Sequence, residues 1–151
     1  MTRRSQERGQ SLLEFAMVLP ILLLLAIGTI EFGRAYYHYN TLSKAVRQAA
    51  RYMSNHAYNA AEKTNAANMA IYGNAAGTGS PCLPGLTASN IAITPRGGGT
   101  TEATPPAWVK VSVTGYTFQS LVRVIPISAA LTPGVEMRYV GENALYTAPN
   151  E

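Results

Sequence analysis

The chain contains no aspartate: all eight of its acidic residues are glutamate. That absence argues against a calcium loop or a magnesium-binding Asp, and against an aspartyl catalyst. Cysteine is nearly absent too. Cys82 stands alone, so no disulfide can form within the chain and its stability must come from packing. The only histidines are His38 and His56, and one thiol with two imidazoles at no short spacing does not compose a zinc site. Serines are plentiful, but a Ser-His-Asp arrangement would need a Glu in the orienting role. Gly97-Gly98-Gly99 is not followed by Gly-Lys-Ser/Thr, so it reads as loop slack and not as a phosphate cradle. A Cys82–His pair is the one nucleophile arrangement left, and nothing in the spacing supports it. On this inventory the chain reads as a non-enzyme that needs no cofactor and no metal.

Charge is scarce as well, at 13% of residues, and its placement says more than the net +4. Between Phe15 and Ile30 there is none, and Leu12 and Leu13 extend the apolar block backwards. Leu12–Ile30 is about the ~20 residues an α-helix needs to cross a bilayer. Arg3, Arg4 and Arg8 precede it; Arg34, Lys44, Arg47 and Arg51 follow. The basic N-terminal flank favours a cytoplasmic N-terminus, with the C-terminal bulk outside the cytoplasm, although Arg34 and Lys44 blunt that asymmetry. A cleaved secretory signal would end in a small-residue site such as Ala-x-Ala. The chain instead continues Glu31-Phe32-Gly33-Arg34-Ala35-Tyr36, so the helix is expected to be retained.

Glu14 interrupts the apolar run near its N-terminal edge. An immersed carboxylate costs about 2–3 kcal/mol, so its position asks for a reason. A basic leader ending in Gly9, four uncharged residues, Glu14, an aromatic and an apolar helix together resemble the class III signal of type IV prepilins. Gln10 is then the first mature residue and Glu14 the fifth, the spacing that family uses. The resemblance extends from Gly9 through Arg51, with Gly-Gln-Ser-Leu-Leu-Glu-Phe-Ala, Leu-Pro-Ile-Leu, Glu-Phe-Gly-Arg and Ala-Val-Arg-Gln-Ala-Ala-Arg. This third of the chain is similar to the TadE-like family, minor pseudopilins of tight-adherence (Flp, type IVc) pilus systems. Glu14 is followed by Phe15, where the major pilins of those systems usually carry Tyr. Together with the greater chain length, this favours a minor component.

The resemblance implies cleavage between Gly9 and Gln10 by a prepilin peptidase, with Gly9, Gln10, Glu14 and Phe15 as the processing residues. It implies residence in a bacterial inner membrane or an extracellular pilus. The implied partners are other pilin subunits, the peptidase and an inner-membrane assembly platform. Loss of the leader removes three arginines and Glu7, so the formal charge falls from +4 to +2. It also frees an amine on Gln10, which a carboxylate four residues along can neutralise in cis or on a neighbour. The same carboxylate suits the positive end of the helix. On spacing alone, a Glu14 that snorkels to the headgroups fits equally well. Pro20 removes one backbone hydrogen bond and softens the helix, either as an assembly feature or because membrane helices tolerate proline.

Beyond Ile30, apolar residues recur as Phe32, Tyr36, Tyr39, Leu42, Val46, Ala49 and Met53, in steps of three and four. This is one stripe of an amphipathic helix, and its aromatic residues are expected to form the seam with the C-terminal domain. A continuous helix from Leu12 to Ser54 would be on the order of 60 Å long. Glu31 and Arg34 stand i,i+3 and are expected to pair. Lys44, Arg47 and Arg51 read as a solvated helical face and not as a nucleic-acid surface. Asn55–Asn59 reads as a break, Ala60–Tyr72 as a second helix closed by Gly73, and Gly77–Leu86 as a loop. The period then falls to two, giving candidate strands at Asn90–Thr94, Trp108–Phe118 and Val135–Val140, with Pro95–Pro106 as a flexible connector. Leu121–Ile127 is apolar but broken by Pro126, and its type is open.

The expected organisation is a leader over 1–9, a transmembrane helix over 10–30, an amphipathic extension over 31–54 and an extracytoplasmic head over 55–151. The expected fold is α+β, a long N-terminal helix packed on a small antiparallel sheet, as in pilins.

Overall fold

The computed structural model describes residues 3–121 and 128–141. In chain order it contains helix α1 (Arg3–Asn55), helix α2 (Ala60–Tyr72), a 3₁₀ turn (Ala88–Asn90), and strands β1 (Ile91–Gly98), β2 (Pro106–Val113), β3 (Thr117–Gln119), β4 (Ser128–Ala130) and β5 (Gly134–Arg138). The contacts divide into two compact units, one ending at Tyr36 and one beginning at Tyr37.

The first unit is the N-terminal part of α1. Its large apolar side chains, Leu12, Leu13, Phe15, Met17 and Ile21 through Leu25 among them, are exposed. Helical geometry persists through Pro20. The segment is long and apolar enough to cross a membrane.

The second unit has its own core. Leu42, Ala45, Val46, Ala49, Ala50 and Met53 of α1 share one buried cluster with Ala66, Ala70 and Ile71 of α2 and Val109, Val111 and Val113 of β2. The long helix thus packs on a small antiparallel sheet, the expected α+β arrangement. β2 lies at the centre, in the order β1-β2-β5, and both its pairings are antiparallel. Alternation decides the two faces: Val109, Val111 and Val113 point into the core while Trp108, Lys110 and Ser112 point away. Each fully buried valine contributes about 1.5–3 kcal/mol over an exposed one.

α2 keeps the predicted bounds for local reasons. The Asn59 side chain accepts the Glu62 amide at 2.9 Å, and Gly73 takes the left-handed conformation (φ 74°) while its N–H bonds to Met69. The end of α1 is satisfied from far along the chain, because the amides of Val140 and Gly141 both donate to the Ser54 carbonyl at 2.9 Å. Tyr139 Oη donates to the His56 carbonyl at 2.9 Å, and its ring meets Tyr58 edge-on.

Three expectations change. The aromatic residues Phe32, Tyr36 and Tyr39 are exposed, and the buried stripe of the head starts at Leu42. The connector after Thr94 is partly strand: β1 continues through Pro95 to Gly98, with Arg96 opposite Trp108 and Gly98 opposite Pro106. Proline is compatible there because β1 is an edge strand and needs no N–H on its outer side. The segment Trp108–Phe118 is two strands, divided at Gly115 (φ 69°), and β3 pairs with β4 in a separate sheet. The described residues therefore hold five strands where three were expected. Of Leu121–Ile127, all but Leu121 lies outside the described residues.

Candidate functional site

The residues singled out for processing and assembly all lie on α1. Gly9 and Gln10 fall within its backbone. Glu14 and Phe15 are exposed, and so is Pro20. Gln10 and Glu14 are four apart and share one helix face. Nearer the end of the unit, Glu31 is only 5% exposed and accepts two hydrogen bonds from Arg34 Nη1, at 3.0 and 3.1 Å. This is the expected i,i+3 pair, with its carboxylate more buried than its guanidinium.

In the second unit, both histidines and the cysteine have polar partners. His38 Nδ1 is 3.1 Å from Tyr116 Oη, and its ring sits edge-on to Phe118 with centroids 5.2 Å apart. Tyr116 Oη donates to the Pro84 carbonyl at 3.3 Å, and burial raises its pKa above the ordinary phenol value. His56 stacks on Tyr52 with centroids 3.8 Å apart, and its Nδ1–H donates to the Tyr52 carbonyl at 2.8 Å. Cys82 Sγ contacts the Ala70 carbonyl at 3.5 Å, while its amide donates to Ile71 and ties the loop onto α2. Although residue Cys82 is exposed, desolvation around its sulfur is the main cause raising the thiol pKa. That suppresses the thiolate a nucleophile would need. The contacts seen are Cys82 with the Ala70 carbonyl, His38 with Tyr116 and His56 with Tyr52.

Glu62 accepts a 2.7 Å hydrogen bond from Tyr52 Oη and a 3.4 Å one from Asn65. The Tyr52 bond holds its carboxyl below the usual range. The pair fastens the start of α2 to the end of α1. Among the described residues, no three His, Cys or Glu side chains are placed to hold a metal ion. A groove of about 320 Å³ lined by Gln48, Arg51, Tyr52 and Met69 is open to solvent, as is one of about 300 Å³ between Lys63 and Ile93. Neither brings an acid and a base together. Lys44, Arg47 and Arg51 are exposed, as a solvated face requires.

Sequence reasoning missed one surface feature. The register sets Arg96, Trp108 and Arg138 opposite one another across β1, β2 and β5. The valine alternation places Trp108 on the outward face, but its flanking arginines are fixed only by pairing.

These features define a class: an apolar helix able to span a membrane, continued into a small α+β head. Within that class, the family described as TadE-like protein matches residues 9–51. That span is the stretch whose motifs carry the resemblance in the sequence, and over it the chain is similar to that family. No curated protein and no solved structure matches the chain.

Proposed function

We propose that the chain is a non-catalytic minor pilin or pseudopilin of a tight-adherence pilus. In this reading prepilin peptidase cuts between Gly9 and Gln10, and the segment Gln10–Ile30 assembles by packing against the helices of other pilin subunits. The carrying observation is that the TadE-like match over residues 9–51 takes in the stretch of α1 from Leu12 to Leu25, whose large apolar side chains are exposed. Such a surface needs lipid first and neighbouring helices afterwards, and lipid-to-helix exchange is the step a filament subunit must make. Glu14 offers a counter-charge to the new Gln10 amine, and Pro20 a softened turn. The head then stands outside the cytoplasm, and the assembly platform of the inner membrane supplies the docking site.

The intact mass of the protein from cells with active peptidase tests the processing step. A mass lacking Met1–Gly9 is expected, and a mass matching all 151 residues refutes it. A second reading is favoured by the self-contained core of the head. A bitopic membrane adaptor could bind a periplasmic partner without entering a filament. Glu14→Ala separates the two, because a pilus subunit loses assembly whereas an adaptor keeps its binding.

A further inference from the structure

We propose that the outward face of the three-stranded sheet binds an acidic polysaccharide, with the Trp108 indole stacking on one sugar ring and Arg96 and Arg138 holding carboxylates to either side. The register supplies the arrangement. Arg96, Trp108 and Arg138 form one row across the sheet, Thr94, Lys110 and Glu136 form the next, and Ala92, Ser112 and Gly134 the third. All three residues of the first row are exposed, Trp108 at 46%. It is the only tryptophan in the chain. The opposite face of the same strands is the core, and among the described residues Trp108 is not part of that buried cluster.

Charge on the face is one-sided: Arg96, Arg138 and Lys110 stand against Glu136 alone. Among the described residues, none of these four is in an ion pair. Strands lie about 4.8 Å apart, so the two arginine positions are about 10 Å apart with the indole midway. Guanidinium forks match carboxylates in a bidentate geometry. The apolar C–H face of a pyranose stacks on an indole, and uronate residues on both sides would present carboxylates to the two forks. The third row has small side chains, and a Cβ on Gly134 would press on Ser112 at 3.2 Å. The low surface thus lies two rows from Trp108, beyond Lys110 and Glu136, so an extended chain runs across the strands along the Trp108 row itself. A single strand of nucleic acid fits less well, because such sites stack successive bases on successive aromatic rings. This face offers one ring. The inference is carried by the head alone and stands apart from the pilus reading.

As the sole tryptophan, Trp108 reports directly on the site. The full chain in detergent micelles is titrated with polygalacturonate, with dextran as the neutral polymer and a single-stranded oligonucleotide as the other polyanion, while indole emission is followed. The expected result is a saturable change with polygalacturonate and none with dextran. Arg96→Gln and Arg138→Gln should each weaken binding roughly three-fold, as exposed charge pairs do. Arg47→Gln, on α1, should leave it unchanged. Trp108→Ala should lose retention on immobilised polygalacturonate while its far-ultraviolet circular dichroism matches the wild type. An indole that polygalacturonate does not perturb overturns the proposal. So does an oligonucleotide that binds as tightly, or arginine variants that bind as wild type.

Discussion

The position of the helix–head seam can be tested by two substitutions three residues apart on α1. Leu42 is fully buried in the core cluster, whereas Tyr39 is 46% exposed. Leu42→Ala removes three carbons from a packed site and leaves a cavity against Val46 and its neighbours. Such changes cost about 2–5 kcal/mol. For a unit of roughly 100 residues, each kcal/mol moves the thermal midpoint by about 4–8 °C, so the loss should exceed about 8 °C. Tyr39→Ala removes a larger side chain, yet one still in solvent, and should change stability by no more than about 0.5 kcal/mol. The assay is thermal unfolding of the full chain in detergent micelles, followed by near-ultraviolet circular dichroism of the tyrosines and Trp108. An equal or larger loss for Tyr39→Ala would refute the placement of the seam at Leu42 and restore the aromatic stripe read from periodicity.

Two further outcomes follow from the ends of α2. The lowered pKa of Glu62 means that its ionised form is favoured by folding, so its contribution is present at neutral pH and is lost as pH falls through the carboxylate range. Glu62→Gln should be less stable than wild type at pH 7, and the gap should close on acidification; denaturant midpoints at a series of pH values check this. Gly73→Ala places a Cβ at φ 74° in open space, so its cost is conformational alone, about 1 kcal/mol, measurable by the same unfolding assay.

Local signals carried the helices. The uncharged block before Ile30 marks a membrane-competent helix by length and composition, because no internal folding partner is needed to make it apolar. The Asn59 cap and the Gly73 stop set α2 to the residue, since both act within one turn. The motifs from Gly9 to Arg51 lie in one contiguous stretch, which is why the family segment was legible from sequence. Hydrophobic alternation likewise gave the inward face of β2. It failed at Gly115, where a positive φ ends the strand and the buried positions shift from Val109, Val111 and Val113 to Tyr116 and Phe118.

Other features depended on residues far apart in the chain. The stripe from Phe32 to Met53 has one period throughout, but only its part from Leu42 meets the core, and periodicity cannot say how much of a face is covered. β4, reading Ser-Ala-Ala, has no alternation, and exists because Thr117–Gln119 pairs with it. The end of α1 is satisfied by amides at Val140 and Gly141, some 85 residues later. The Arg96–Trp108–Arg138 row belongs to this second group. Sequence by itself determined the membrane-competent apolar helix, the helices and the face each valine takes, because these depend on neighbours within a turn or two. Tertiary structure alone decided which strands pair and in what register, and therefore which charges flank the exposed indole.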